Sequence, residues 1–233
     1  MPDDELTVFS AGAVKSGVAR LAAEFERTHG ARVRVLFEPA PELRRRIAAG
    51  EVADVIVLPA AMMDELAREG KILPESRSRL GRSRMGVVVH ADAPAPELAD
   101  TAAFVKLVRY ASEVIHNRAS SGLYAARLLE RLGLARELAA RTVVVDSGAA
   151  IMERVAAQPP GAVGLAQISE IMVLVNRGCR VKLAAPLPDE IQNVTTYDAA
   201  AAAGSRQPQT ARALARALTS EAAKAIFAAT GIH

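Results

Sequence analysis

The opening of the chain alternates between two hydrophobic periods. Residues 6–10 (LTVFS) are short and β-rich and run into Ala11-Gly12, a strand-to-turn signal. Val14, Val18, Leu21, Ala22 and Phe25 then recur at helical spacing until Gly30. Residues 33–37 read as a second strand and 41–50 as a second helix, carrying Glu42 and Arg44 to Arg46. Residues 54–58 (DVIVL) form a continuous apolar strand, and 62–70 a third helix. Strand and helix in strict alternation predict a largely parallel sheet with helices on both faces.

Beyond that opening the pattern is less regular. Residues 77–84 are rich in Ser and Arg and are read as a lapse, with strand character resuming at 85–90 (MGVVVH). A Pro/Ala turn covers 91–96, a helix 101–110, and a short strand 113–116 ends at Asn117. Helices are expected over 123–132 and 150–157, strands over 143–145 and 163–166, while 169–176 suits either apolar helix or strand. Residues 181–184 and 194–197 are strand-like, and an alanine-rich helical tail follows from Gln209. There is no internal repeat, low-complexity linker or heptad run.

Three strand ends pass through small residues into a helix: 10–13 (SAGA), 38–41 (EPAP) and 117–122 (NRASSG). In open α/β sheets, ligands bind beyond the carboxyl ends of strands, where helix N-termini present free N–H groups suited to an anion. Tight βα turns alone also account for any one of these segments; their recurrence is what raises the binding interpretation.

Composition narrows the field. A chain of 233 residues suits one large domain or two small lobes. Its 29 basic and 26 acidic residues leave a net charge of +3, too small to require a polyanionic partner. Aromatics make up 3%, too few for a base-stacking surface, so no nucleic-acid partner is expected. Cys179 is alone, which excludes an internal disulfide. His29, His90, His116 and His233 show no ligand spacing, and neither metal nor cofactor is expected. No paired carboxylate or nucleophile–base motif marks an enzyme, and Ser121 has no partner motif that makes it a nucleophile. Basic neighbours of Cys179 favour a lowered thiol pKa, although a structural thiol is the simpler reading. No apolar run reaches the roughly 18–20 residues that span a bilayer. The acidic start MPDDELTVFS is not a leader, so the protein is periplasmic if one was removed and cytoplasmic otherwise.

Together the segments resemble the molybdate-binding group of periplasmic solute-binding proteins. The likeness rests on LTVFSAGAV at the start, on 37–59 (FEPAPELRRRIAAGEVADVIVLP), on 117–124 (NRASSGLY), on 162–171, and on 220–231 (SEAAKAIFAATG). It implies a type II periplasmic binding protein-like α/β fold: two α/β lobes joined by two crossover strands, with ligand held in the cleft. Lobe one would then be residues 1–84 plus 198–233, and lobe two 85–197. The implied role is solute capture for an ABC importer, with a small anionic ligand, a transporter membrane component as partner, and a monomeric state.

The resemblance also places the ligand positions. Ser10, Gly12 and Ala13 form the first turn, Ala40 and Pro41 the second, Asn117, Ser120, Ser121 and Gly122 the third, Ala149 the fourth. Ala13 and Ala40 fall where the family keeps gripping serines, and Gln167 where it keeps a tyrosine. Each lost charge-assisted bond costs on the order of 1.5–3 kcal/mol, which argues against molybdate and for a small organic carboxylate. A cytosolic small-molecule sensor on the same fold is the alternative role.

Overall fold

The computed structural model describes residues 5–233. In chain order the elements are β1 (Glu5–Ala11), α1 (Lys15–His29), β2 (Arg32–Glu38), α2 (Ala40–Ala48), β3 (Val55–Pro59), α3 (Ala60–Arg68) and β4 (Ser78–His90). There follow α4 (Thr101–Tyr110), β5 (Val114–Asn117), α5 (Ser120–Arg131), the single turn α6 (Ala135–Leu138), β6 (Thr142–Val145) and α7 (Gly148–Ala157). The chain finishes with β7 (Val163–Gln167), α8 (Ile168–Asn176), β8 (Val181–Pro186), β9 (Val194–Ala201), α9 (Pro208–Leu218) and α10 (Glu221–Ala228).

Residues up to Ser83 and from Thr195 form one compact unit, and Arg84–Val194 a second. The chain passes between them twice, within β4 and within β9. In unit one the strand order is β2-β1-β3-β9. Ser10 of the central β1 is flanked in parallel register by Phe37 and Val57. The antiparallel β9 brings Tyr197 opposite Pro59. Val55 to Leu58 are all buried, as a strand covered on both faces requires. Helices α1 and α10 meet at Gly17, where an added Cβ would stand 2.2 Å from the ring of buried Phe227.

Unit two has β4-β7-β5-β6 in order, with β8 also on β4. Its two faces bury different cores, split by the period of two. Val87, Val89, Val114, Val163 and Leu165 join Phe104, Leu128 and Leu129 on one side. Val88, Ile115, Ala162 and Ala166 join Ile151, Met152 and Ile171 on the other.

One expectation fails in an instructive way. Residues 77–84 are no lapse: β4 already begins at Ser78. Arg79, Arg82 and Arg84 are exposed, whereas Leu80, Gly81, Ser83 and Met85 are buried. The inward positions are filled partly by glycine and serine, so the alternation carries no hydrophobic signal. The ambiguous 169–176 stretch is helical, as α8.

Candidate functional site

Because β1, β2 and β3 run parallel, their carboxyl ends share one edge of unit one. Ser10 is fully buried there, and its Oγ donates to the Ala11 carbonyl at 3.3 Å. Gly12 and Ala13 belong to a single 3₁₀ turn, Gly12–Val14, without a side-chain cap. Ala40 opens α2 and is buried; Pro41 follows it and has no N–H. The Glu42 and Leu43 N–H groups both donate to the Pro39 carbonyl, at 2.9 and 3.1 Å. The sequence-assigned positions of unit one are therefore gathered at one edge, which offers methyl groups and backbone rather than hydroxyls. Lys15, just beyond, lies over the Phe37 ring at 5.3 Å.

The same unit holds an ion cluster that the sequence did not reveal. Arg77 donates through Nε to Asp198 Oδ2 at 2.7 Å, through another nitrogen to Asp64 Oδ1 at 2.6 Å, and to the Ala60 carbonyl at 3.1 Å. Asp198 is nearly buried on β9, beside Leu58. Burial pulls the Arg77 pKa down, but Asp64 and Asp198 outweigh it and hold the pKa above its usual value. Arg45 and Arg46 instead pair with Glu42 and Glu51 near their own helix, while the largely covered Arg44 reaches Glu65 and Glu69.

In unit two, β7, β5 and β6 run parallel, so Gln167, Asn117 and Val145 mark its corresponding edge. Asn117 organises the turn into α5. Its Oδ1 accepts from the N–H groups of Ala119 and Gly122, at 3.0 and 3.1 Å. These two donors fix which end of the amide is oxygen. Nδ2 is therefore turned the other way, and it is buried with no hydrogen-bond partner among the described residues. Only 1% of Asn117 is exposed. Gly122 is required for this closeness, since a Cβ would lie 1.7 Å from the Asn117 carbonyl oxygen. Ser120 and Ser121 start α5 after Ala119, which supplies no side-chain cap. By contrast Asp100, Ser147 and Ser220 cap α4, α7 and α10.

Ala149 is the second residue of α7, whose first turn is closed by Ser147 Oγ accepting from Ala150 at 3.2 Å. Gln167 is buried at the end of β7, opposite Met85. Glu170, absent from the sequence-assigned set, stands beside both turns. A Cβ at Gly148 would come within 2.3–2.4 Å of its carboxyl group, and the Gln167 backbone N–H donates to it. Burial pushes the Glu170 pKa up to about 7, against the smaller lowering effect of that bond. The Gln167-x-x-Glu170 spacing, a reach-back across a helix start, was the signal available for it.

Two further residues settle into structural roles. Tyr124 donates its hydroxyl to the Ile191 carbonyl at 3.0 Å. The Cys179 thiol is raised, not lowered, because burial and then Glu153 outweigh the Arg180 backbone contact. Among the described residues no group of three His, Cys, Asp or Glu is placed to hold a metal, and no helix is long and apolar enough to cross a membrane.

The family model described as bacterial extracellular solute-binding protein matches residues 6–233. An aconitate isomerase from Pseudomonas sp is 30% identical over 234 residues, covering 97% of this chain and 86% of that protein. The periplasmic molybdate-binding protein of Azotobacter vinelandii superposes with a TM-score of 0.76 at 19% identity, over 98% of both chains. A sulfate-binding protein from Mycobacterium tuberculosis gives 0.79 at 16% identity, over 98% of this chain and 86% of that one. These likenesses establish the type II periplasmic binding protein fold.

Proposed function

Since the chain belongs to the bacterial extracellular solute-binding protein family, we propose that it captures a small organic carboxylate for an ABC importer, in the periplasm. The observation that carries this reading is Asn117. A buried amide donor without an acceptor costs about 1–3 kcal/mol, and an anionic oxygen arriving at Nδ2 removes that cost. At the start of α5, where Asn117 Oδ1 takes up the Ala119 and Gly122 N–H groups, the backbone N–H groups of Ser120 and Ser121 and the positive end of the helix dipole add to this. A carboxylate, with two oxygens in a plane, can take Nδ2 on one and a backbone N–H on the other.

The choice of an organic acid over a tetrahedral oxyanion rests on the first unit. Ala13 and Ala40 provide methyl surface, Ser10 donates to its own chain, and Pro41 removes a donor. Such an edge suits a ligand with a carbon skeleton. The name of the Pseudomonas relative points in the same direction, toward an unsaturated tricarboxylate.

Binding proceeds without covalent chemistry in this reading. A thermal-shift panel of aconitate, citrate, succinate, sulfate and molybdate tests it. A ligand at a hundred times its Kd adds about 2.7 kcal/mol, which for a chain of this size raises Tm by about 5–10 °C. Aconitate or another carboxylate should give that shift. Stabilisation by molybdate or sulfate alone would overturn the organic-acid reading. A second reading, isomerisation of the bound acid, is favoured by the relative's name alone. Proton NMR of cis-aconitate incubated with the protein separates the two: an unchanged spectrum supports binding, and a converted one supports catalysis.

A further inference from the structure

We propose that anion binding at the second unit is coupled to uptake of a proton by Glu170, the carboxyl group wedged between the start of α7 and the end of β7. The proposal rests on the reading of that edge as an anion site and adds its regulation. Glu170 Oε2 is sealed from solvent and has no hydrogen-bond partner among the described residues, while the carboxyl lies against Gly148 and accepts the Gln167 N–H. It thus touches the turns that carry Ala149 and Gln167. A sealed oxygen without a donor is poorly solvated as an anion and better suited to a neutral acid.

Among the described residues no charged side chain relieves it. On α7 and its approach, Arg154 binds Glu113 at 2.7 and 2.8 Å, Asp146 pairs with Arg118 at 3.1 Å, and Glu153 acts on Cys179. On β8, Lys182 donates to the Ala93 carbonyl at 2.5 Å. On β5, His116 hydrogen-bonds the Asn117 carbonyl through Nδ1 at 3.1 Å. Burial and one backbone bond are the influences on Glu170, and they bring its titration to about pH 7. An anion held nearby adds a like charge and drives the carboxyl further toward its protonated form. By linkage, ligand then binds more tightly at the pH where Glu170 already carries its proton. If binding raises the titration midpoint by about one pH unit, affinity is about fivefold higher at pH 6 than at pH 8, and about 0.4 proton is taken up at pH 7.

Calorimetry of the full chain with aconitate, in PIPES and in Tris at pH 7, counts the protons, and titrations at pH 6 and pH 8 give the affinities. Glu170→Gln is the control, because it keeps an acceptor for the Gln167 N–H and carries no titrating group; the difference between the proteins also cancels the ligand's own titration. The expected result is proton uptake and a fivefold pH effect in the wild type that exceed those of the variant. Equal proton counts and equal pH dependence, with aconitate still bound, would overturn the coupling and leave the binding site standing. No binding of aconitate or any panel ligand at either pH would remove the site and the coupling together. A ¹³C titration of the Glu170 carboxyl without ligand gives an independent check: a midpoint in the ordinary carboxylate range overturns the proposal even if the variant fails to fold.

Discussion

Gly122→Ala is the substitution that most cleanly joins the third turn to binding. The new methyl would stand 1.7 Å from the Asn117 carbonyl oxygen and 2.5 Å from its Oδ1. Neither atom can yield easily. The carbonyl belongs to the last residue of β5, and Oδ1 is held by two N–H groups. The turn must open, and the cap bonds to Ala119 and Gly122 are lost with it. Loss of such a cap costs about 1–2 kcal/mol, and the backbone shift about 1–3 kcal/mol more. Alanine returns about 1 kcal/mol in helix propensity. The net destabilisation is about 3 kcal/mol, a Tm lowered by about 6–12 °C in differential scanning calorimetry. Affinity for the carboxylate should fall at least tenfold, because Nδ2 no longer faces its fixed direction. The neighbouring exposed Leu123→Ala should change neither quantity appreciably. A Gly122→Ala protein with wild-type Tm and wild-type affinity would refute the turn as described.

Other expectations follow from packing and charge. Gly17→Ala, which in an open helix would stabilise, should here cost about 2 kcal/mol by urea unfolding, because its methyl overlaps the Phe227 ring in the core; Phe227→Leu in the same chain should recover part of the loss. Arg77→Met should destabilise by about 3 kcal/mol, since it leaves the nearly buried Asp198 without its cation, and Asp198→Asn in the same chain should restore much of it. Glu170 binds its proton more tightly folded than unfolded, so its contribution to stability is complete below the unfolded pKa, near 4.5, and fades as pH rises through about 7. Wild-type stability should therefore fall by about 2.5 kcal/mol between pH 5 and pH 8 relative to Glu170→Gln, measured by denaturant melts at each pH.

The fold was legible where inward positions are large and apolar. The opening βαβαβα unit could be read because Val8, Phe9, Leu43 and the run Val55–Leu58 fill the core. Residues 78–84 could not, because Gly81 and Ser83 occupy inward positions and contribute no hydrophobic signal. The site was legible as turns rather than as contacts. The small-residue turn 117–122 could be seen at a strand end and the family resemblance placed Asn117, Ser121 and Gly122 in it, but the orientation of the Asn117 amide depends on two backbone N–H groups that only the folded turn brings together. Arg77 and Asp198 are 121 residues apart, and no local pattern links them. Glu170 had a local signal in its spacing from Gln167; its burial against Gly148 comes from a different helix.

The central claim is that this chain binds a small organic carboxylate in preference to an inorganic oxyanion. Isothermal titration calorimetry of the wild-type protein against aconitate and against molybdate tests it most directly. A single-site isotherm with aconitate and no measurable heat of binding with molybdate at the same concentrations is the expected result. Saturable molybdate binding with no response to aconitate or any other carboxylate would contradict it.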